Sequence, residues 1–315
     1  FMAVFVATDR VQHYWWPGRC TDVEASRWTP IRELLQRIDS FLGAALALVD
    51  DSTTVFVVSD HGFGGPRPAT RCLNPLFARL GLLRYRQDGG QLRSQVWRHL
   101  LLHGRRVIPS RLQAPLARAL PALRLRATGG GLVSSLDWPH TQVFASPSGI
   151  DVTLNLQGRQ PGGTVSPEDY HHLRDHVREI VVNLTDPATG VRVVRAVRRC
   201  EELYSGPYAD QAPDLLIEWE DDALTDGLRY CTGQEPVVVG PSESPRSTER
   251  ALGDHRAHGV FIASGPQIRA GGTVDGARIY DIAPTILHLQ GRAVPEDMDG
   301  RVLDGLFVPR QVAEH

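Results

Sequence analysis

Lysine is missing from this sequence: all 34 basic residues among its 315 are arginine. We read that as codon bias of a GC-rich coding sequence, not as a functional signature. Cysteine is sparse. Cys20, Cys72, Cys200 and Cys231 lie far apart, with no C-x-x-C pair and no Cys/His zinc spacing. A chain of this size does not need a disulfide scaffold, so the four thiols are read as unpaired, which slightly favours a reducing, cytoplasmic setting. Neither sign of charge dominates. The formal net charge of -2 argues against a dedicated nucleic-acid or polyanion binder. Long apolar runs are lacking too: the longest, Phe41 to Val49, falls well short of the ~20 residues that span a bilayer. Neither a basic segment nor a start residue precedes the opening Phe1-Met2-Ala3-Val4-Phe5-Val6, so nothing in it can be called a signal peptide. The chain starts inside an apolar run, and the expectation is that an upstream segment is missing.

What is present reads as a globular α/β protein. A hydrophobic fraction of 42% and a charged fraction of 22% are ordinary. At about 150 residues per domain, the length suits one large or two ordinary domains. Strand-length apolar runs occur at Met2–Ala7, Thr54–Ser59, Val152–Leu156, Val191–Val197, Asp214–Trp219 and Val260–Ala263. Between the first two, Ile31, Leu34, Leu35, Ile38, Leu42, Ala45, Leu46 and Val49 recur at helical spacing. Strand, helix, strand with continuously apolar strands predicts a mostly parallel sheet sandwiched by helices. Near the C-terminus, a strand over Gly259–Ala263 precedes a helix start with Asp281 as N-cap and Pro284 in the first turn.

The middle of the chain differs in texture. Arg98 to Arg126 is rich in arginine and leucine, broken by Pro109, Pro115 and Pro121, and reads as an amphipathic insert with a solvated basic face, an anion-binding or membrane-facing helical arm being the alternative. Gly129-Gly130-Gly131 marks a loop. A polar helix is predicted over about Pro167 to Val182, with Ser166 and Asp169 as its capping pair. The expected organisation is a core segment over 1–73, a long inserted lid region over 74–233, and a second core segment over 234–315.

Three clusters at strand ends carry chemistry. Asp9 and His13 are four residues apart and project together if the chain turns helical. Asp60-His61-Gly62 follows the second strand, and Gly62 and Gly64 suit a tight turn. His255 and His258 precede the last strand. Carboxylate and imidazole donors of this kind suit zinc and also tolerate manganese. In an open α/β sheet the carboxyl ends of the strands form the ligand crevice.

The order D-x-x-x-H, D-H-G, H-R-x-x-G resembles the alkaline phosphatase superfamily, in particular its type I phosphodiesterase/nucleotide pyrophosphatase branch. Leu154-Asn155-Leu156-Gln157-Gly158-Arg159 and Ala212-Pro213-Asp214-Leu215 are similar to further segments of that branch, as are Asp281-Ile-Ala-Pro-Thr-Ile-Leu and Val294-Pro-Glu-Asp-Met-Asp-Gly300. The resemblance implies an alkaline phosphatase-like α/β core and hydrolysis of small phosphate esters at a site of two divalent metals, zinc or manganese. It implies that Asp9, His13 and His255 hold one metal, His258 being the alternative to His255, and that Asp60 and His61 hold the other. Asn155 and Arg159 become candidate substrate contacts, against the plainer reading of a turn capping the end of a strand. The resemblance also implies a Thr or Ser nucleophile and one more Asp ligand, both upstream of D-x-x-x-H. Thr8 does not stand in the nucleophile's motif, so the nucleophile is expected outside this chain, which by itself would turn over little. A phosphomutase, a sulfatase or a non-catalytic binding member of the same superfamily are the alternatives.

Overall fold

The computed structural model describes residues 1–17, 28–86, 135–160, 162–221, 225–233, 235–240 and 252–308. The arginine-rich stretch Arg98–Arg126, the loop Gly129–Gly131 and Cys20 lie outside them. Among the described cysteines, Cys72 and Cys200 are buried and Cys231 is exposed. The chain divides into two compact units, one formed by 1–66 with 249–315 and the other by 67–248.

In the first unit, helices α1 (Ala7–Trp15) and α2 (Trp28–Leu46) pack on each other. Strands β1 (Val55–Val58) and β2 (Gly62–Gly64) follow in sequence. The amphipathic spacing from Ile31 onward thus forms the predicted helix. The Met2–Ala7 run does not form the predicted strand: Phe1 to Val6 are exposed and the chain turns helical at Ala7. A strand is held by ladder partners, and this run has none among the described residues.

The last part of the chain returns as β9 (Asp254–Arg256) and β10 (Phe261–Ser264), then α5 (Ile282–Leu289). β1 pairs antiparallel with β10, from Val55 opposite Ser264 to Val58 opposite Phe261. β2 pairs antiparallel with β9, Phe63 facing His255 across the ladder. Ser59 bridges the two ladders: its N–H donates to the Val260 carbonyl at 2.9 Å and its Oγ accepts from the Val260 N–H at 2.6 Å. Segments 55–64 and 254–264 therefore run in opposite directions as one bent ribbon. This is why the expected parallel pairing is not seen: among the described residues every ladder of named strands is antiparallel, and the one parallel bridge joins Leu156 to Val165.

One face of the ribbon is apolar and inward. Phe56 and Phe261 stack at 5.9 Å and pack with Ala263 and Ile282 on a buried cluster of Ile268, Leu303 and Leu306. Asp281 occupies the N-cap position of α5, but its side chain serves elsewhere. The carboxylate accepts from the Arg278 N–H at 2.9 Å and the Arg301 N–H at 3.0 Å, tying the helix start to the loop after it. Gly300 is required there, since a Cβ would lie 2.0 Å from the Tyr280 carbonyl oxygen.

The second unit holds a four-stranded antiparallel sheet. Its strands are β3 (Val143–Ala145), β4 (Asp151–Leu154), β5 (Val194–Arg199) and β6 (Leu215–Trp219), in the order β3-β4-β6-β5. Alternation buries Val152 and Leu154 on β4 and Leu215, Ile217 and Trp219 on β6. Helix α3 (Leu73–Arg79) buries Leu73, Leu76 and Phe77, and α4 (Tyr170–Val182) buries Val177, Ile180 and Val181. Ser166 accepts from the Asp169 N–H at 3.1 Å and donates to its carboxylate at 2.7 Å, so the predicted pair forms in a turn ahead of α4, which starts at Tyr170 with Asp169 as N-cap rather than at Pro167 with Ser166. Buried Asn74 binds the backbone of Ala145 twice, at 2.8 and 2.7 Å, fixing α3 to the sheet. A hairpin of β7 (Leu228–Thr232) and β8 (Glu235–Val239) completes the unit.

Candidate metal centre

Helix α1 brings Asp9 and His13 onto one face, one turn apart, with Asp9 Oδ1 3.3 Å from His13 Nε2. His61 stands where the chain enters β2, and His255 is the central residue of β9. The ribbon carries both imidazoles to the helix. Asp9 Oδ1 is 3.0 Å from His255 Nε2 and 3.9 Å from His61 Nε2, while His13 Nε2 is 3.1 Å from His255 Nε2. Among the described residues, Asp9, His61 and His255 form a group whose ligand atoms all lie within 4.8 Å of one another. The side chains of Asp9, His13, His61 and His255 retain between 26% and 50% exposure, so the cluster opens to solvent.

The backbone decides which nitrogen each ring presents. His13 Nδ1 lies 3.0 Å from the Gly253 carbonyl and His61 Nδ1 lies 2.9 Å from the Gly62 carbonyl. A carbonyl only accepts, so both Nδ1 atoms carry a proton, and in the neutral ring it is the Nε2 lone pair that faces the cluster. Lone pairs aimed at one another and at a carboxylate repel unless a proton or a cation lies between them. This donor set suits a zinc-class ion, and the carbonyl contacts are the outer partners that metal-bound imidazoles need.

Phe63 forms the wall of the cluster. Its ring centroid lies 4.9 Å from that of His13, 5.6 Å from that of His255 and 6.4 Å from that of His61, the first two edge-on. Phe63 faces His255 across the ladder, so both side chains rise from the same face of the ribbon. Neither Phe63 nor Gly253 was singled out from the sequence. The signal available for Phe63 was the Gly-Phe-Gly alternation.

The remaining residues read from the sequence fall as follows. Asp60 is 80% exposed, with Oδ2 3.7 Å from His61 Nε2, so it borders the cluster. His258 is exposed and lies outside the converging group, and its carbonyl packs against Gly62. Asn155 and Arg159 belong to the second unit. Asn155 is buried and donates through Nδ2 to the Thr141 carbonyl at 2.8 Å. Arg159 grips Asp214 through Nη1 at 2.8 Å and Nη2 at 2.6 Å. The hydrogen bond and charge of Asp214 raise the pKa of the Arg159 guanidinium, although burial opposes this. The Asp214 carboxylate also accepts from the Leu154 N–H at 2.6 Å and from Tyr170 Oη. Burial first, then Asp214, pushes the Tyr170 phenol up, keeping it a donor. The segments around Arg159 and Asp214 are thus two halves of one buried ion pair.

An α/β frame that gathers a carboxylate and imidazoles at strand and helix ends is how metal-dependent hydrolases present their ligands. The chain belongs to the type I phosphodiesterase/nucleotide pyrophosphatase family, whose model matches residues 1–236, and hence to a family of phosphoester hydrolases. Asp9, His13, Asp60 and His61 lie within the matched span, and His255 lies beyond it. Neither the curated proteins nor the solved structures include a significant match. Among the described residues no helix is long and apolar enough to cross a membrane.

Proposed function

We propose that this protein is a metal-dependent phosphoric-ester hydrolase of the phosphodiesterase/nucleotide pyrophosphatase type, acting on small phosphate esters through two divalent ions, zinc or manganese. The observation that carries the reading is the convergence of Asp9, His13, His61 and His255, with two of the imidazoles held by backbone carbonyls so that Nε2 faces inward. Asp9, His13 and His255 are assigned to one ion. His61 and Asp60 are assigned to the other; His61 Nε2 lies 3.9 Å from Asp9 Oδ1. Metal bound there supplies Lewis-acid polarisation of a phosphoryl oxygen and neutralises charge as the ester is displaced.

The chain's own residues prepare that chemistry. The Gly253 and Gly62 carbonyls hold the rings of His13 and His61 by Nδ1, and the Asp9 carboxylate contributes negative charge beside the imidazoles. Phe63 closes one side against water. We place the hydroxyl nucleophile, a Thr or Ser, and one further carboxylate ligand outside these 315 residues, so this chain binds metal and turns over little. The region 74–233 is assigned to selecting the substrate. Asn155 and Arg159 are assigned to supporting that region's sheet, since the Asn155 amide nitrogen holds the Thr141 carbonyl and the Arg159 guanidinium holds Asp214.

The test is the zinc and manganese content of the purified chain, beside Asp9→Ala and His255→Ala. About one tightly held ion per chain, lost in both variants, is the expected result. A folded wild-type chain that retains neither metal refutes the reading.

A further inference from the structure

The ribbon that carries His255 has a second face, opposite the imidazoles. Because side chains alternate along a strand, Phe63 and His255 share one face while Gly62, Gly64, Asp254 and Arg256 belong to the other. On that face Arg256 lies flat across bare backbone: a Cβ on Gly64 would sit 2.6 Å from its guanidinium carbon. The fork reaches both strands at once. Nη2 donates to the Gly65 carbonyl at 2.7 Å, and Nη1 donates to the His255 carbonyl at 3.0 Å and the Asp254 carbonyl at 3.3 Å.

We propose that Arg256 is a positioning residue for the metal centre: its guanidinium clasps the 62–65 loop to β9 and so sets the separation between the His61 and His255 rings. The inference rests on the metal reading above and adds a residue outside the assigned ligand set. Three features make the clasp specific. A planar fork with several donors can serve three carbonyls at once, which a lysine ammonium on a flexible stem does not do in fixed geometry. The bond to the His255 carbonyl acts on that ligand's own backbone. The bond to the Gly65 carbonyl acts just past the turn that carries His61, whose ring stacks on that of His255 at a centroid distance of 3.9 Å. The glycines at 62 and 64 then have a reason beyond turn geometry. Gly62 lets the His258 carbonyl approach, a Cβ there lying 1.9 Å from the oxygen, and Gly64 leaves room for the guanidinium.

The experiment uses the full 315-residue chain with Arg256→Ala and Arg256→Lys. Co2+ serves as a spectroscopic probe of N/O ligation, and Zn2+ competes for the same site. Outer partners of metal-bound imidazoles typically contribute about 10- to 100-fold in metal affinity. The expected result is a loss of that size in both variants, a changed Co2+ visible spectrum, and recovery of Arg256→Ala on adding guanidinium ion. Unchanged affinity and spectrum in a folded Arg256→Ala chain overturn the proposal. If Arg256→Ala does not fold, Arg256→Lys decides by the same two readouts. If wild type binds no metal, the metal reading fails, and the clasp is judged on the 15N-imidazole NMR of the metal-free chains. Shifts at His61 and His255 with His13 unmoved support it, and an unmoved set refutes it.

Discussion

Replacing Arg159 with alanine tests whether the Arg159–Asp214 pair is architecture. The Asp214 side chain is 1% exposed and that of Arg159 is 25% exposed. The variant leaves a buried carboxylate with two neutral donors, the Leu154 N–H and Tyr170 Oη, in place of a forked cation at 2.6 and 2.8 Å. Breaking a buried pair by removing one partner costs about 3–5 kcal/mol. Water can enter the quarter-open arginine site, which sets the expectation at the lower end, about 3 kcal/mol. With a urea slope of about 2 kcal/mol per molar, that moves the midpoint down by about 1.5 M. Near-UV circular dichroism follows this unit, since Trp219 is buried in its sheet and donates Nε1–H to the Gly149 carbonyl at 2.8 Å. Arg198→Ala is the control. Its partner is Glu218 at 3.0 Å, both side chains are almost half exposed, and such pairs contribute about 0–1 kcal/mol. If Arg159→Ala unfolds at the same urea concentration as Arg198→Ala, the assignment of Arg159 to the architecture is wrong, and its reading as a substrate contact gains ground.

Two further outcomes follow from the same geometry. Asn74→Ala strands the buried N–H and carbonyl of Ala145, at about 1–3 kcal/mol per orphaned group; the variant should lose stability in urea and the Ala145 amide should exchange faster with solvent, and wild-type exchange at that amide would contradict the pinning role. Phe63→Leu keeps apolar bulk but loses the ring edges against His13 and His255, so Zn2+ affinity should fall about 10-fold with far-UV circular dichroism unchanged. An unaltered affinity would show that the aromatic wall does not hold the imidazoles.

The sequence by itself determined the residue types at the site, because their chemistry and strand-end context are local properties. Asp9 and His13 are four apart, and a helical turn brings such residues together wherever it lies. Asp-His-Gly after an apolar strand and His-Arg before another were legible for the same reason, as were α2, from its helical spacing, and the capping turn at Ser166. Pairing direction was not legible. A run such as Val55–Val58 is equally apolar whether its neighbour is parallel or antiparallel, and only the return of 254–264 alongside 55–64 fixes it. Met2–Ala7 failed as a strand because apolar character alone does not supply a ladder partner. Tertiary structure also decided which donors meet. His61 was grouped with its neighbour Asp60, yet the ribbon carries its ring against His255 and within 3.9 Å of Asp9. Arg159 and Asp214 are 55 residues apart and each is unremarkable alone, and only the β4–β6 pairing turns them into one buried ion pair. Spacing along a chain reports what one turn or one strand can bring together. Contacts between distant segments depend on register and direction, which are settled when the segments pack.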